Sequence, residues 1–245
     1  MGDKWIVETD KLRKVFDGVE VIKDCSMHIK QGTIYGFLGM NGAGKTTVFK
    51  MLSSLLSPTS GTAKVLGVDI TSHSSEVLRN IGSIIEVPIF YEHLSAVENL
   101  RVHLGYMNKK NIDIDKTLEM VGLPSRDRKP VSTFSLGMRQ RLGIARTIIH
   151  QPKLLILDEP LNGLDPMGIR EMRELFLNLV RNEGMTILIS SHILTDIEHI
   201  ADNIGIIANG KIIDEVSMAK VKSQTLNASL EEYFFQKIKE KLEYV

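Results

Sequence analysis

At 245 residues and 43% hydrophobic content, the chain is long enough for one large domain, or a domain with a smaller subdomain, around a sizeable core. Its 30 basic and 30 acidic side chains cancel, so no global basic field points to a nucleic-acid partner. The single cysteine, Cys25, excludes an intramolecular disulfide and fits a reducing compartment, where a small apolar place on a strand is its expected role. No uninterrupted apolar run of about 18 residues offers a membrane span. Residues 1–5 lack the apolar core of a leader, and Ile6 stands where a myristoylation signal on Gly2 needs Ser or Thr. A soluble, intracellular protein is expected.

Apolar and β-branched runs predict strands over residues 5–7, 19–22, 25–29 and 33–38, the first ones antiparallel, with turns at Asp17-Gly18 and Gln31-Gly32. A glycine-rich loop follows, then a helix over 45–56 that Ser57-Pro58 ends, and strands over 62–66 and 81–85. From Ser95 to about Arg126 the texture changes. Amphipathic helices over 96–106 and 113–121 have no strand between them, which predicts a helical insertion closed by the loop 124–132. A helix over 136–149 then opens an alternation of strands (154–157, 186–189) and helices (167–182, 194–201), the pattern of a parallel sheet with helices on both faces. Residues 204–208 and 211–215, joined by Asn209-Gly210, read as a hairpin, and a charged amphipathic helix begins at Ser229. The expected organisation is one domain over 1–245. Its nucleotide-binding core and β subdomain come from 1–94 and 150–220, its helical subdomain from 95–149 and its C-terminal helix from 221–245.

Gly39-Met40-Asn41-Gly42-Ala43-Gly44-Lys45-Thr46 matches the phosphate-loop pattern G-x-x-x-x-G-K-[ST] at every fixed position, between a strand and a helix. Glycines let the backbone curl so that successive N–H groups converge on one anion, aided by the dipole of the following helix. Lys45 supplies charge to the β- and γ-phosphates, Thr46 a hydroxyl to Mg²⁺, and Thr47 a further donor. Nucleotide binding follows.

The apolar strand at 154–157 ends in Asp158-Glu159. An Asp at the carboxyl end of a parallel strand beside a phosphate loop suits Mg²⁺ coordination. Glu159, one residue on, suits orientation of an attacking water. Ser190-Ser191-His192 follows the strand at 186–189 in the same way, which makes His192 a candidate γ-phosphate sensor linked to Glu159. The histidines His28, His73, His93, His103, His150 and His199 show no metal-ligand spacing. Ser135-Leu136-Gly137 opens a helix just ahead of the acidic strand and suggests a second phosphate-binding surface, hence an ATPase working as a sandwich of two chains.

Taken together these motifs resemble the ATP-binding cassette (ABC) ATPases over nearly the whole chain. The resemblance implies an α/β fold, a P-loop NTPase (RecA-like) core with an antiparallel β subdomain and a helical insertion. It also implies an adenine-stacking aromatic at Phe16, a D-loop at Leu161-Asn162-Gly163-Leu164-Asp165, and His192 in the switch position. Two such domains meet head to tail, and ATP on one phosphate loop is closed over by Ser135 and Gly137 of the facing copy. ATP and Mg²⁺ are the implied cofactors. The implied partners are a second copy and separate transmembrane permease subunits, with no nucleic acid, and the implied location is the cytoplasmic face of the cell membrane.

The chain departs from the family pattern at two places. Its signature reads Phe134-Ser135-Leu136-Gly137-Met138 where Leu-Ser-Gly-Gly-Gln is usual, keeping Ser135 and Gly137. Glu86, in Ile84-Ile85-Glu86-Val87-Pro88, stands where the family has glutamine, and it is a candidate metal ligand that accepts hydrogen bonds but cannot donate them when ionised. The setting of Glu86 and the tail Ser229-Leu230-Glu231-Glu232-Tyr233-Phe234 look like the ATPase subunits of lantibiotic-immunity and bacitracin-resistance exporters. A peptide exporter is therefore expected, with an ion, drug or polysaccharide exporter, or a soluble non-transport ATPase, as alternatives.

Overall fold

The computed structural model describes residues 4–72, 74–125, 127–224 and 229–242. Gly2, His73, Arg126 and residues 225–228 and 243–245 of the tail segment lie outside them. Ten strands form one sheet in the order β5-β4-β1-β2-β10-β9-β3-β8-β7-β6. At one end of that order β3 (Ile34–Leu38), β8 (Thr186–Ser190), β7 (Leu154–Asp158) and β6 (Ile81–Ile84), the edge strand, run parallel. All residues of β3, β7 and β8 are buried, as continuous apolar runs between helical layers require. Leu155, Leu157, Ile187 and Ile189 enter one apolar cluster, while Leu154, Ile156 and Leu188 enter another. The strand period of two thus splits the core into two halves.

The antiparallel part is built on a long hairpin, β1 (Trp5–Phe16) and β2 (Val19–Lys30), turning at Asp17-Gly18. β4 (Ser60–Val65) and β5 (Val68–Asp69) extend it. Residues 19–22 and 25–29, expected as separate strands, are one. The polar pair between them keeps its backbone paired: the N–H groups of Lys23 and Asp24 both donate to Gly210 O, and Asp24 pairs with Lys211 of β10 (Lys211–Ser217). β9 (Asn203–Ala208) completes the hairpin with β10. Cys25 is buried there, and burial pushes its thiol up to about 12, so it is an inert apolar residue as expected.

Helix α1 (Lys45–Leu52) stops short of Ser57-Pro58. Ser54 turns left-handed, and the Leu55 and Leu56 amides fold back on Lys50 O. Short α2 (Ser74–Asn80) was not expected. The helical insertion holds α3 (Ala96–Tyr106), started by a Ser95/Glu98 capping box, then α4 (Ile114–Met120) and α5 (Leu136–Ile148). Leu100, Leu118 and Leu142 of these helices share one apolar cluster with β7 and β8. α6 (Pro166–Arg181), capped by Asp165, and α7 (Leu194–Glu198) follow. The unforeseen α8 (Met218–Gln224) and the expected α9 (Leu230–Leu242) end the chain.

The packing of α5 on the sheet turns on one glycine. A β-carbon at Gly82 of β6 would lie 2.1 Å from the backbone oxygen of Thr147. Gly82→Ala is expected to destabilise the fold by about 1–3 kcal/mol or more, the range of core overpacking. A urea titration checks it, and an unchanged midpoint would show that β6 and α5 can separate freely.

Candidate nucleotide site

β3 delivers the phosphate loop to the edge of the parallel sheet. Gly42 and Gly44 there have φ of 78° and 108°, a region open to glycine and strained for other residues. Gly44 also caps α1 without any side-chain cap, so the first-turn amides of that helix are left for an anion. Lys45 is buried, and its Nζ donates to Gly39 O at 2.7 Å while standing 3.9 Å from Glu159 Oε1.

A chain of hydrogen bonds links the remaining groups. The Thr46 hydroxyl donates to Asp158 Oδ2 at 2.6 Å, and the Ser190 hydroxyl donates to Asp158 Oδ1 at 2.6 Å. Ser190 Oγ in turn accepts the Glu159 N–H at 3.0 Å. Glu159 sits at φ 50°, a sparsely populated conformation for a non-glycine residue. That turn carries its carboxylate away from Asp158 to His192, whose backbone N–H and Nδ1–H both donate to Oε2, at 3.1 and 2.8 Å. A carboxylate acceptor fixes the proton on Nδ1 and leaves Nε2 open.

A cavity of about 330 Å³ is lined by Gly42, Lys45, Thr46, Thr47, Asp158 and Glu159, with Met40, Asn41, Gly44 and Val21 at its wall. A hollow of about 540 Å³ adjoins it at Met40 and Asn41, between Gly39, His192 and Phe234 and Phe235 of α9. Ala43 closes the loop by donating its N–H to Met40 O. The paired oxygens of Thr46 and Asp158 are hard donors of the kind Mg²⁺ takes alongside substrate phosphates. Among the described residues no group of three or more His, Cys, Asp or Glu could hold a metal ion by itself.

Among the other candidates, Gly39 and His192 line the adjoining hollow and Ala43 faces a third beside the loop, whereas four stand apart from these cavities. Phe16, at the β1–β2 turn, is exposed with the Lys14 ammonium 5.0 Å above its ring. Ser135 caps α5 by accepting the Met138 N–H, and is exposed, with Gly137 beside it. Glu86, expected among the metal ligands, instead ion-pairs with Lys50 of α1 at 2.6 Å, held by a left-handed backbone at φ 64°. His103 and His150, given no chemistry from sequence, pair with each other at 3.2 Å, and burial together with His150 lowers His103 to about 4. Ser190 is the functional residue the sequence reasoning passed over. Its register opposite Asp158 across β7 and β8 is the signal that could have found it.

Parallel sheet, phosphate loop and strand-end carboxylates define a P-loop nucleotide-binding domain. Residues 22–162 match the family described as ABC transporter. The bacitracin transport ATP-binding protein BcrA of Bacillus licheniformis is 49% identical over 221 residues, covering 89% of this chain and 72% of its own. The lantibiotic transport ATP-binding protein SrtF of Streptococcus pyogenes is 45% identical over 233 residues, covering 95% and 97%. The solved structure of an ATP-binding subunit of an ABC transporter superposes with TM-score 0.86 at 28% identity, over 95% of this chain and 99% of that one. The chain belongs to the ABC transporter family, and its enzymatic class is that of the ABC ATPases.

Proposed function

We infer that this chain hydrolyses ATP as the energy-supplying subunit of an exporter for an antimicrobial peptide of the bacitracin or lantibiotic kind. The hydrolytic part is carried by the hydrogen-bond chain Thr46–Asp158–Ser190–Glu159–His192 beside the phosphate loop. The cargo class is supported by the identities of 49% and 45% to relatives named for bacitracin and lantibiotic transport. In this reading the loop amides and Lys45 hold the phosphates of ATP, Lys45 exchanging its Gly39 carbonyl for the β- and γ-oxygens. Thr46 and Asp158 would hold Mg²⁺, which would supply charge neutralisation for the phosphates. Glu159 accepts a hydrogen bond from the attacking water and aims it at the γ-phosphorus. His192 steadies Glu159 through Nδ1–H and presents Nε2 to the γ-phosphate side.

A second copy completes the site. Ser135, Leu136 and the N-terminus of α5 are exposed and lie outside their own loop's cavity, so they are available to ATP held by a facing chain. No helix among the described residues is long and apolar enough to cross a membrane; the kinship to relatives named as transport ATP-binding proteins supports separate permease subunits and a station on the cytoplasmic face. A groove of about 400 Å³, lined by Ile89, Tyr91, Val102, His103, Tyr106 and Arg146, offers those subunits an apolar seat, with Ile89 83% exposed. Arg139 and Arg146 of α5 tie that groove to the signature. Arg139 makes a two-pronged pair with Glu92 at 2.6 and 2.7 Å, and Arg146 donates to Ile89 O at 2.7 Å. The Arg139 guanidinium holds the Glu92 carboxyl below the usual range, so the pair persists at neutral pH and is lost as pH falls through that lowered value.

Arg139→Lys cannot keep the fork. It is expected to leave the ATPase of the isolated chain within about twofold while cutting permease-stimulated turnover severalfold, as loss of a geometric link and not of the site implies. Turnover of the chain alone and in permease proteoliposomes checks this. The cargo is tested by expressing the chain with its permease in a sensitive bacterium. A raised inhibitory concentration for bacitracin or a lantibiotic is expected, abolished by Glu159→Gln. No protection against either peptide class would remove the cargo assignment.

A further inference from the structure

Leu136 stands in the signature where the family has its first glycine, on the opening turn of α5, and it is 62% exposed. It is nonetheless seated. A β-carbon at Gly163 would lie 2.6 Å from Leu136 Cδ2 and 2.8 Å from its Cγ, well inside any allowed contact. Gly163 also turns left-handed, with φ of 81°, so the loop after Glu159 both bends and bares its backbone at the point where Leu136 rests. Neighbouring contacts follow the same line. A β-carbon at Gly137 would meet Gly163 O at 3.5 Å and Leu164 Cδ2 at 3.7 Å, and the Gln140 side-chain amide donates to Pro160 O at 2.7 Å in a buried bond.

The loop's own bonds are long. Asn162 N–H reaches Glu159 O at 3.2 Å, and Leu164 N–H reaches Leu161 O at 3.3 Å. Bonds at or just past the long end of the usual N–H···O range hold Asn162 and Leu164 less firmly than Asp165, which caps α6 at 2.8 Å, so the conformation of 162–164 depends on what lies against it.

We propose that Leu136 is a positioning residue: seated on Gly163, it fixes the D-loop to the signature so that Ser135, Gly137 and Asn162 to Asp165 move as one surface. A glycine at position 136 has no side chain to reach Gly163, and this chain replaces that freedom with a contact. The consequence for turnover rests on the two-copy reading above, since the block then closes on the facing copy as one rigid face; the seat itself is intramolecular.

Hydrogen exchange of the full chain without nucleotide separates the two. Leu136→Ala is expected to speed exchange at the Asn162 and Leu164 amides about tenfold, as loss of a local packing contact does, with Leu136→Met close to the unaltered chain. Slow exchange in β7 and β8 shows that the fold is kept. Unaltered exchange at 162 and 164 would overturn the seat. In ATPase assays Gly163→Ala is expected to lose more than tenfold in kcat, through the clash and the strained φ. Adding Leu136→Ala should restore part of that loss by removing the clash, with ATP affinity of the chain's own loop unchanged throughout. Simply multiplied losses would also overturn the seat. If Glu159→Gln forms no ATP-dependent dimer while exchange still responds to Leu136, the two-copy reading falls and the seat stands.

Discussion

Glu159→Gln is expected to cut ATP turnover by about 10²–10⁴-fold, the contribution typical of a positioned acid–base group, while ATP stays bound. The replacement is nearly isosteric. Gln is no worse suited than Glu to the left-handed backbone at φ 50°, and its side-chain oxygen can still accept from His192, as Oε2 does at 2.8 Å. What changes is the second oxygen. Oε1, 3.9 Å from Lys45 Nζ and on the cavity wall, is the acceptor left for a water. With an amide the site must either lose the His192 partner or turn an NH₂ group toward Lys45 and the water. Neither arrangement polarises a nucleophile. Steady-state phosphate release together with retention of labelled ATP measures both halves of the prediction. Turnover at the unaltered rate would point to a regulatory nucleotide-binding module, which has no use for Glu159.

The legibility of this fold from sequence followed the strength of the local signal. The phosphate loop, the fully buried runs ending at Leu38, Asp158 and Ser190, and the Ser95/Glu98 cap of α3 each occupy a few consecutive residues and were readable. Helix α2 was not, because its two large apolar residues, Val77 and Leu78, are adjacent in a short polar stretch and show no helical period. Likewise, Lys23-Asp24 broke the apolar alternation of β2 on paper, whereas the backbone bonds to Gly210 that keep the strand whole come from residues nearly two hundred positions away.

Within the site the same division holds. Residues singled out by short motifs come together: Lys45, Thr46, Asp158 and Glu159 line one cavity. Apart from the His192–Glu159 link, which matching strand ends suggested, relations between distant positions were invisible. Ser190 is joined to Asp158 by sheet register, Glu86 to Lys50 and Arg139 to Glu92 by tertiary packing. The departure at Glu86 illustrates the point. Sequence offered a carboxylate in search of a metal, whereas the structure supplies a cation on the helix of Thr46, one turn further along. An exposed pair of this kind contributes little to stability, so it leaves Glu86 free to change partner at small cost.

Lys45→Ala is expected to remove ATP binding rather than turnover alone, in contrast to Glu159→Gln. The Lys45 side chain is 7% exposed, and its ammonium donates to Gly39 O at 2.7 Å, with Met40 O at 3.5 Å. A buried cation kept in place by carbonyls of the loop itself is positioned in advance for phosphate oxygens, so little ordering remains when they arrive. Charge-assisted hydrogen bonds contribute about 1.5–3 kcal/mol each, and loss of two corresponds to roughly 10²-fold in affinity or more. Arginine does not repair the loss, because a forked guanidinium does not fit the slot of a point charge in so closed a place. Thermal unfolding reads the difference directly: ligand that binds only the folded state raises Tm. The unaltered chain and Glu159→Gln should both gain stability with Mg²⁺ and ATP, and Lys45→Ala and Lys45→Arg should show almost none. An equal gain in Lys45→Ala would mean that the loop amides of Gly42 to Thr46 and the α1 N-terminus hold the phosphates without it.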